Sequence, residues 1–239
     1  MESKRNYKTL LPLFCILILA ACSQDSNPLS PQSSGQNVNT QQGTSNNSFA
    51  NKEEKYSDEI QSVDGPRSVI YSYWAMAKVP VDYSDIASLI SSKYRNERNE
   101  YKKDEILKTL QPSIDEEISR YKSFNKFRVD TGPYVYRLKD FDYQYKFFPI
   151  NEMSDGSYFS FNEASAYQLK FTNGSRFSRI QIDDKDLVER INKLSANFAT
   201  HLNIYYTSLG DEIGNTVILA KITKVELLDN KGNVLAIVQ

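Results

Sequence analysis

The chain has 239 residues, 40 % of them hydrophobic, with 29 Lys and Arg against 30 Asp and Glu and a formal net charge of −1. That balance lacks the basic excess expected of a protein that binds nucleic acid or an anionic lipid surface. The length suffices for one domain that buries roughly 70 % of its unfolded surface.

Lys4, Arg5 and Lys8 form a positive head, residues 10–18 a nearly unbroken apolar run around Pro12, and Leu19-Ala20-Ala21-Cys22 follows. This is the three-part layout of a secretory signal, and the run is far short of the ~20 apolar residues of a membrane-spanning helix. Leu19-Ala20-Ala21-Cys22 resembles the lipobox of bacterial lipoproteins. The resemblance implies cleavage between Ala21 and Cys22 and lipidation of Cys22, with palmitate among the chains. Ser23 stands where an aspartate would signal retention, which implies the outer membrane and a domain facing the periplasm. Two or more acyl chains make such an anchor stable, at about 0.8 kcal/mol per buried methylene. Loss of residues 1–21 leaves 218 residues with a net charge of −3. Cys15 leaves with the leader and Cys22 carries lipid, so the domain enters an oxidising compartment without disulfides.

Residues 22–64 read as a lipid-anchored disordered linker rich in Ser, Asn, Gln, Thr, Gly and Pro. Such a stretch buries too little apolar area to offset its ordering entropy. As a coil it spans about 35 Å, and roughly 140 Å when taut. Residues 65–239 read as one domain.

Val69, Ile70, Tyr73, Trp74 and Ala77 recur at helical spacing over residues 67–78, and Val79-Pro80 ends that helix. Asp82 or Ser84 caps a second helix carrying Ile86, Leu89 and Ile90. Residues 95–105, with alternating charge signs, read as a solvated face or loop. A third pattern runs through Leu107, Leu110, Ile114, Ile118 and Tyr121. A break is expected at Pro112, with Ser113 to Glu116 as a capping box for a new helix.

The second half changes period. Tyr134-Val135-Tyr136, the alternation Phe141/Tyr143/Tyr145/Phe147 and residues 158–161 read as strands. Asn173-Gly174 reads as a type I′ turn, and its formal glycosylation sequon as the turn alone. A two-residue loop there would pair Phe171 with Arg176, Leu169 with Ser178 and Tyr167 with Ile180, gathering the apolar side chains on one face. Residues 183–198 read as a helix capped by Asp184, with Leu187, Val188, Ile191, Leu194 and Phe198 in its apolar stripe. Residues 202–207, 216–228 and 234–238 read as strands, with turns at residues 210–215 and 229–233. Residues 216–228 carry apolar side chains at both parities, which implies a strand covered on both faces or a bulge that swaps faces. The order is helices first, then a mostly antiparallel sheet with one inserted helix, an α+β fold.

Tyr73-Trp74-Ala75-Met76-Ala77, Pro80-Val81-Asp82-Tyr83 and Tyr101 to Pro112 together resemble a family of bacterial lipoproteins carrying a domain of unknown function. Phe147-Phe148-Pro149 and Leu227-Leu228-Asp229 add to the likeness, which covers most of residues 66–239. That family implies no established activity and no catalytic residues.

Motifs for chemistry are sparse. His201 is the single histidine, and no G-x-S-x-G elbow accompanies it. One histidine and no domain thiol argue against zinc. Asp183, Asp184 and Asp186 lack the glycine and terminal glutamate of an EF-hand loop and suit a helix N-terminus. No phosphate-binding glycine loop occurs. A carboxylate pair of the kind used on glycosidic bonds stays open, because sequence does not give the separation of the carboxyl groups. Sixteen Tyr and twelve Phe are the remaining lead. Tyr134, Tyr136, Tyr143 and Tyr145 are the candidate ligand-facing aromatics, set against the plainer reading of Tyr and Phe as sheet core.

The expectation is a lipid-anchored cell-envelope protein with a binding or assembly role, more an adaptor than an enzyme. No catalytic residue, metal or cofactor is assigned. Its partners would be the membrane, through the anchor, and an envelope protein or peptidoglycan, and not nucleic acid. The alternatives are a cell-wall hydrolase acting through carboxylates and a receptor for glycans or small ligands using exposed tyrosines.

Overall fold

The structure, a computed structural model, describes residues 56–239. The expected leader, the cleavage point at Ala21 and the lipidation site Cys22 lie outside the described residues, as does most of the expected linker. The linker was expected to run to residue 64, but the ordered chain starts earlier. Ser57 N–H donates to Ser123 O at 2.7 Å, and Gln61–Val63 forms strand β1 with Val63 fully buried. Polar composition hid this entry, because one buried valine and backbone pairing suffice to dock it.

Helix α1 (Pro66–Met76) begins with proline at its first turn and buries Val69, Ile70, Tyr73 and Trp74. Helix α2 (Tyr83–Ile90) is capped by Asp82, whose Oδ1 accepts from Asp85 N–H at 2.9 Å. A short helix α3 (Ser92–Asn96) follows. Helix α4 (Glu100–Lys122) is capped by Asn99 and runs unbroken through Pro112. The expected break does not occur. Ile114, Ile118 and Tyr121 are buried in the core, while Pro112 is exposed on the opposite face. Packing beyond the proline therefore overrides its local penalty of about 3 kcal/mol. Much of the charged stretch expected as a solvated face or loop is the first turns of α4, where Glu100, Lys102, Asp104 and Glu105 are exposed.

Next come β2 (Lys126–Asp130), β3 (Phe147–Pro149), β4 (Ser157–Phe159), β5 (Gln168–Phe171) and β6 (Arg179–Gln181). Helix α5 (Lys185–Ser195), β7 (Thr200–Asp211), β8 (Val217–Asp229) and β9 (Val234–Val238) complete the chain. The fold is α+β with a mostly antiparallel sheet. The main sheet has the order β1-β2-β7-β8-β5-β4, with β9 also paired to β8, and β3 and β6 form a separate ribbon. Among the strand pairs of the described residues, β1·β2 and β5·β8 are parallel and the others antiparallel.

The parity problem in β8 is solved by a bulge. Tyr205 faces Lys224 and Tyr206 faces Ile222, leaving Thr223 as the extra residue. Ile218, Ala220 and Ile222 before it, and Val225 and Leu227 after it, are therefore all buried. Phe127 stacks on Tyr206 with centroids 5.5 Å apart, and Phe171 meets the same ring edge-on at 6.4 Å. Trp74 Nε1–H donates to the Tyr167 hydroxyl at 2.9 Å, and that hydroxyl donates to the Asp85 carboxylate. Burial first, and Asp85 second, push the Tyr167 phenol far above its ordinary pKa. This chain of donors ties α1 and α2 to the start of β5.

The expected hairpin around Asn173-Gly174 does not form. β5 pairs with β4 and β8, β6 pairs with β3, and residues 174–177 make a 3-10 turn. Asn173 Nδ2–H donates to Ile222 O at 2.9 Å, and Asn173 Oδ1 accepts from Ile222 N–H at 2.8 Å. Its amide thus extends the β5·β8 pairing past the end of the strand. Gly174 is required by a close approach: a Cβ there would lie 2.2 Å from Ser154 O.

Candidate functional site

Residues 137–151 form an irregular hairpin in place of the expected aromatic strand. Lys139 N–H donates to Pro149 O at 2.8 Å and Asn151 N–H donates to Arg137 O at 2.7 Å. At the tip, Asp142 Oδ1 accepts from Gln144 and Tyr145 N–H at 3.0 Å each, and Lys146 has a φ of +57°. The side chain of Asp142 thus holds a turn that an alternating pattern does not reveal.

That geometry divides the four candidate tyrosines. Tyr134, Tyr143 and Tyr145 are 69, 75 and 62 % exposed, whereas Tyr136 is 6 % exposed. Tyr136 is corrected from ligand-facing to anchoring. Its ring lies 6.2 Å from Phe171 and its hydroxyl donates to Tyr158 O at 2.9 Å. Burial raises its pKa to about 12. With a φ of +51° it turns the chain so that Tyr134 and Arg137, on either side, reach the surface.

Tyr134 meets Phe198, a residue expected in the apolar stripe of α5 but 47 % exposed. Their ring centroids are 5.8 Å apart, and the Arg137 guanidinium carbon lies 4.6 Å from the Phe198 centroid. Phe198 ends α5 in a Schellman arrangement: Ala199 N–H donates to Leu194 O at 2.9 Å and Phe198 N–H to Ser195 O at 3.1 Å. Its φ is +55°, a position that ordinarily takes glycine because a side chain there costs about 1 kcal/mol. A large exposed aromatic kept in such a conformation is a mark of function. Beside these rings lies a cleft of about 260 Å³, walled by Pro133, Arg137, Asp140, Asn192, Ser195 and Phe198. Arg137 and Phe198 carry no signal in the sequence. Only a phenylalanine where a glycine would cap the helix could have drawn attention to them.

A larger open groove, about 770 Å³, lies at the ends of α1 and α4 and takes in Met76, Phe124, Asn125 and Ser208. Tyr56, the first described residue, forms part of its wall. Nothing within the described residues identifies what covers it.

Elsewhere several charged groups pair with one another. On the open face of the sheet, Tyr205 O–H and Lys224 Nζ donate to the two oxygens of Glu226 at 2.9 and 2.8 Å. Burial pushes the Glu226 carboxyl up, but these partners outweigh it and hold the carboxyl below the usual range. Such a pair is locked, not poised for proton transfer. His201 Nε2 lies 3.4 Å from Asp130. Asp184 caps α5 through Asp186 and Leu187 N–H, and Asp183 pairs with Lys146 at 3.0 Å. Among the described residues no group of three or more His, Cys, Asp or Glu is placed to hold a metal. None of the described helices is long and apolar enough to cross a membrane.

Comparison with protein-family models, with curated proteins and with solved structures finds no match to this chain.

Proposed function

We propose that this is a lipid-anchored cell-envelope protein with a non-catalytic binding role, held through Cys22 at the outer membrane and facing the periplasm. In this reading the helices lead and a mostly antiparallel sheet with one inserted helix follows, presenting a binding cleft at the end of the tether. The observation that carries the binding role is the exposed Tyr134–Phe198 pair under Arg137. It combines an amphipathic tyrosine ring, a phenylalanine at the end of α5 and a cation from the irregular hairpin, the composition of recognition surfaces. The anchor rests on the positive head, apolar run and Leu19-Ala20-Ala21-Cys22 of the leader. The tether between Cys22 and Tyr56 would reach about 30 Å as a coil, enough to lift the cleft clear of lipid headgroups.

Mass spectrometry of the purified mature chain tests the anchor. The expected species starts at an acylated Cys22, and Cys22→Ala moves the protein from the membrane to the soluble fraction. An intact leader, or a Cys22→Ala protein that still sediments with membranes, removes the proposal's basis.

A further inference from the structure

We propose that the cleft walled by Arg137 and Phe198, with Tyr134 beside it, binds a sugar ring bearing a carboxylate. The inference deepens the binding role proposed above and rests on it.

Size comes first. At about 260 Å³ the cleft falls below the ~300–1,000 Å³ typical of sites for drug-sized molecules, so it suits a single ring of a longer ligand. Shape follows. Phe198 is in the wall of the cleft and Tyr134 lies beside it, their ring planes 40° apart, and this aromatic surface is one against which the C–H face of a pyranose packs. Asn192 and Ser195 add an amide and a hydroxyl. Each donates and accepts, which matches sugar hydroxyls better than an aliphatic or purely cationic ligand.

Arg137 supplies the charge. Its guanidinium stacks on Phe198, and among the described residues it forms no ion pair. With its carbon 4.6 Å from the Phe198 centroid, the guanidinium keeps N–H groups free to grip a carboxylate with two parallel bonds. Asp140, the acidic wall of the cleft, disfavours a polyanion and suits a ligand with one carboxylate beside hydroxyl donors. Phe198 supports the same reading from stability. Glycine would be the better helix terminator there, so the ring is kept against the backbone's preference.

Two sources share this chemistry: the lactyl carboxylate of a cell-wall amino sugar and the ring carboxylate of a uronate. The test is calorimetric titration of the detergent-solubilised mature chain with three probes. They are the disaccharide of N-acetylglucosamine and N-acetylmuramic acid, digalacturonate, and neutral chitobiose. One acidic probe is expected to bind at least about tenfold tighter than chitobiose, and the preferred one identifies the source. Arg137→Gln should abolish that preference, weakening the acidic probe at least about tenfold more than chitobiose. Phe198→Gly should weaken all sugars while the midpoint of thermal unfolding holds or rises, which separates loss of the ring from misfolding. Equal binding of neutral and acidic probes, or an unchanged preference in Arg137→Gln, overturns the carboxylate assignment. Absence of saturable binding by all three, in a chain that still carries lipid on Cys22, overturns the sugar site and leaves the anchor standing.

Discussion

Residues 168–181 and the β7–β8 hairpin are both pairs of apolar strands joined by a glycine-containing link, yet only the second pair folds onto itself. In β7 and β8 the two strands find each other, with Thr200 opposite Asp229 at one end and Asp211 opposite Ile218 at the other. In the first pair each strand is claimed by another partner, β5 by β4 and β8, and β6 by β3. The difference lies in where the polar residues of the link spend their hydrogen bonds. In the β7–β8 link Asn215 N–H donates to Glu212 O at 3.1 Å and Glu212 N–H to Val217 O at 2.9 Å, all within five residues. Asp229, in the adjoining β8–β9 turn, likewise accepts from Lys231 and Asn233 N–H, both within four residues. Asn173 bonds to Ile222, 49 residues away. A turn-forming residue thus makes a turn only when its partner is local.

The strongest way to break this contrast is Gly174→Ala. A glycine chosen for a hairpin turn would lose about 1 kcal/mol on gaining a methyl group. A Cβ 2.2 Å from the Ser154 carbonyl must displace backbone, and a loss of more than about 3 kcal/mol is expected. Urea unfolding that shows only 1 kcal/mol would restore the turn.

Asn173→Ala comes next. It strips both bonds from Ile222 and should lower stability by about 2–3 kcal/mol. Asn173→Gly, which an αL turn would welcome, should fare no better. Amide exchange at Ile222 is the specific readout, and unchanged protection there would refute the role assigned to Asn173.

Gly214, in the β7–β8 link, is the matched control. Its φ is +85° and a Cβ would meet nothing within 4 Å. Gly214→Ala should therefore cost only about 1 kcal/mol, through backbone conformation alone. A loss as large as that of Gly174→Ala would erase the distinction between the two links.

The subtlest test is in acid. Asn233, by its side chain and then its N–H, holds the Asp229 carboxyl at about 2, with Lys231 N–H and Arg190 adding to the effect. A depressed carboxylate stabilises the fold above its unfolded pKa of about 3.9, and that contribution fades as pH falls from 4 through 2. Asp229→Asn should flatten the stability profile over that window and leave its slope near neutrality unchanged. A wild-type profile already flat between pH 4 and pH 2 would show that the β8–β9 turn does not hold its aspartate in this way.

The same contrast explains how much of the fold was legible. The apolar stripe of α1, the caps Asp82 and Asp184, and the β8–β9 turn all act within a few residues, and each was readable from spacing. Pro112 was misread because the reward for continuing α4 lies in Ile114, Ile118 and Tyr121 meeting the core. The aromatic alternation at residues 141–147 was misread because Asp142 closes a turn inside it. For the candidate cleft, Tyr134 was legible as an aromatic near the surface. Tyr136 was not separable from it, since both fit the same pattern until Phe171 and Tyr158 bury one of them. Arg137 and Phe198 were invisible, being 61 residues apart in the chain and joined only by the way α5 ends beside the irregular hairpin.

By itself, then, the order of amino acids determined where α1 and α5 start, which stretches carry strand-forming apolar side chains, and an N-terminal segment with a basic head, an apolar run and Leu19-Ala20-Ala21-Cys22. Those are local properties, set by backbone preference, side-chain period and hydrogen bonds that reach a few residues. Tertiary structure alone decided which strands pair, which tyrosine is buried, and that Phe198 and Arg137 meet at one cleft with Tyr134 beside it. Such choices belong to long-range competition for partners, in which a buried backbone N–H or C=O takes the best available match whatever its distance along the chain.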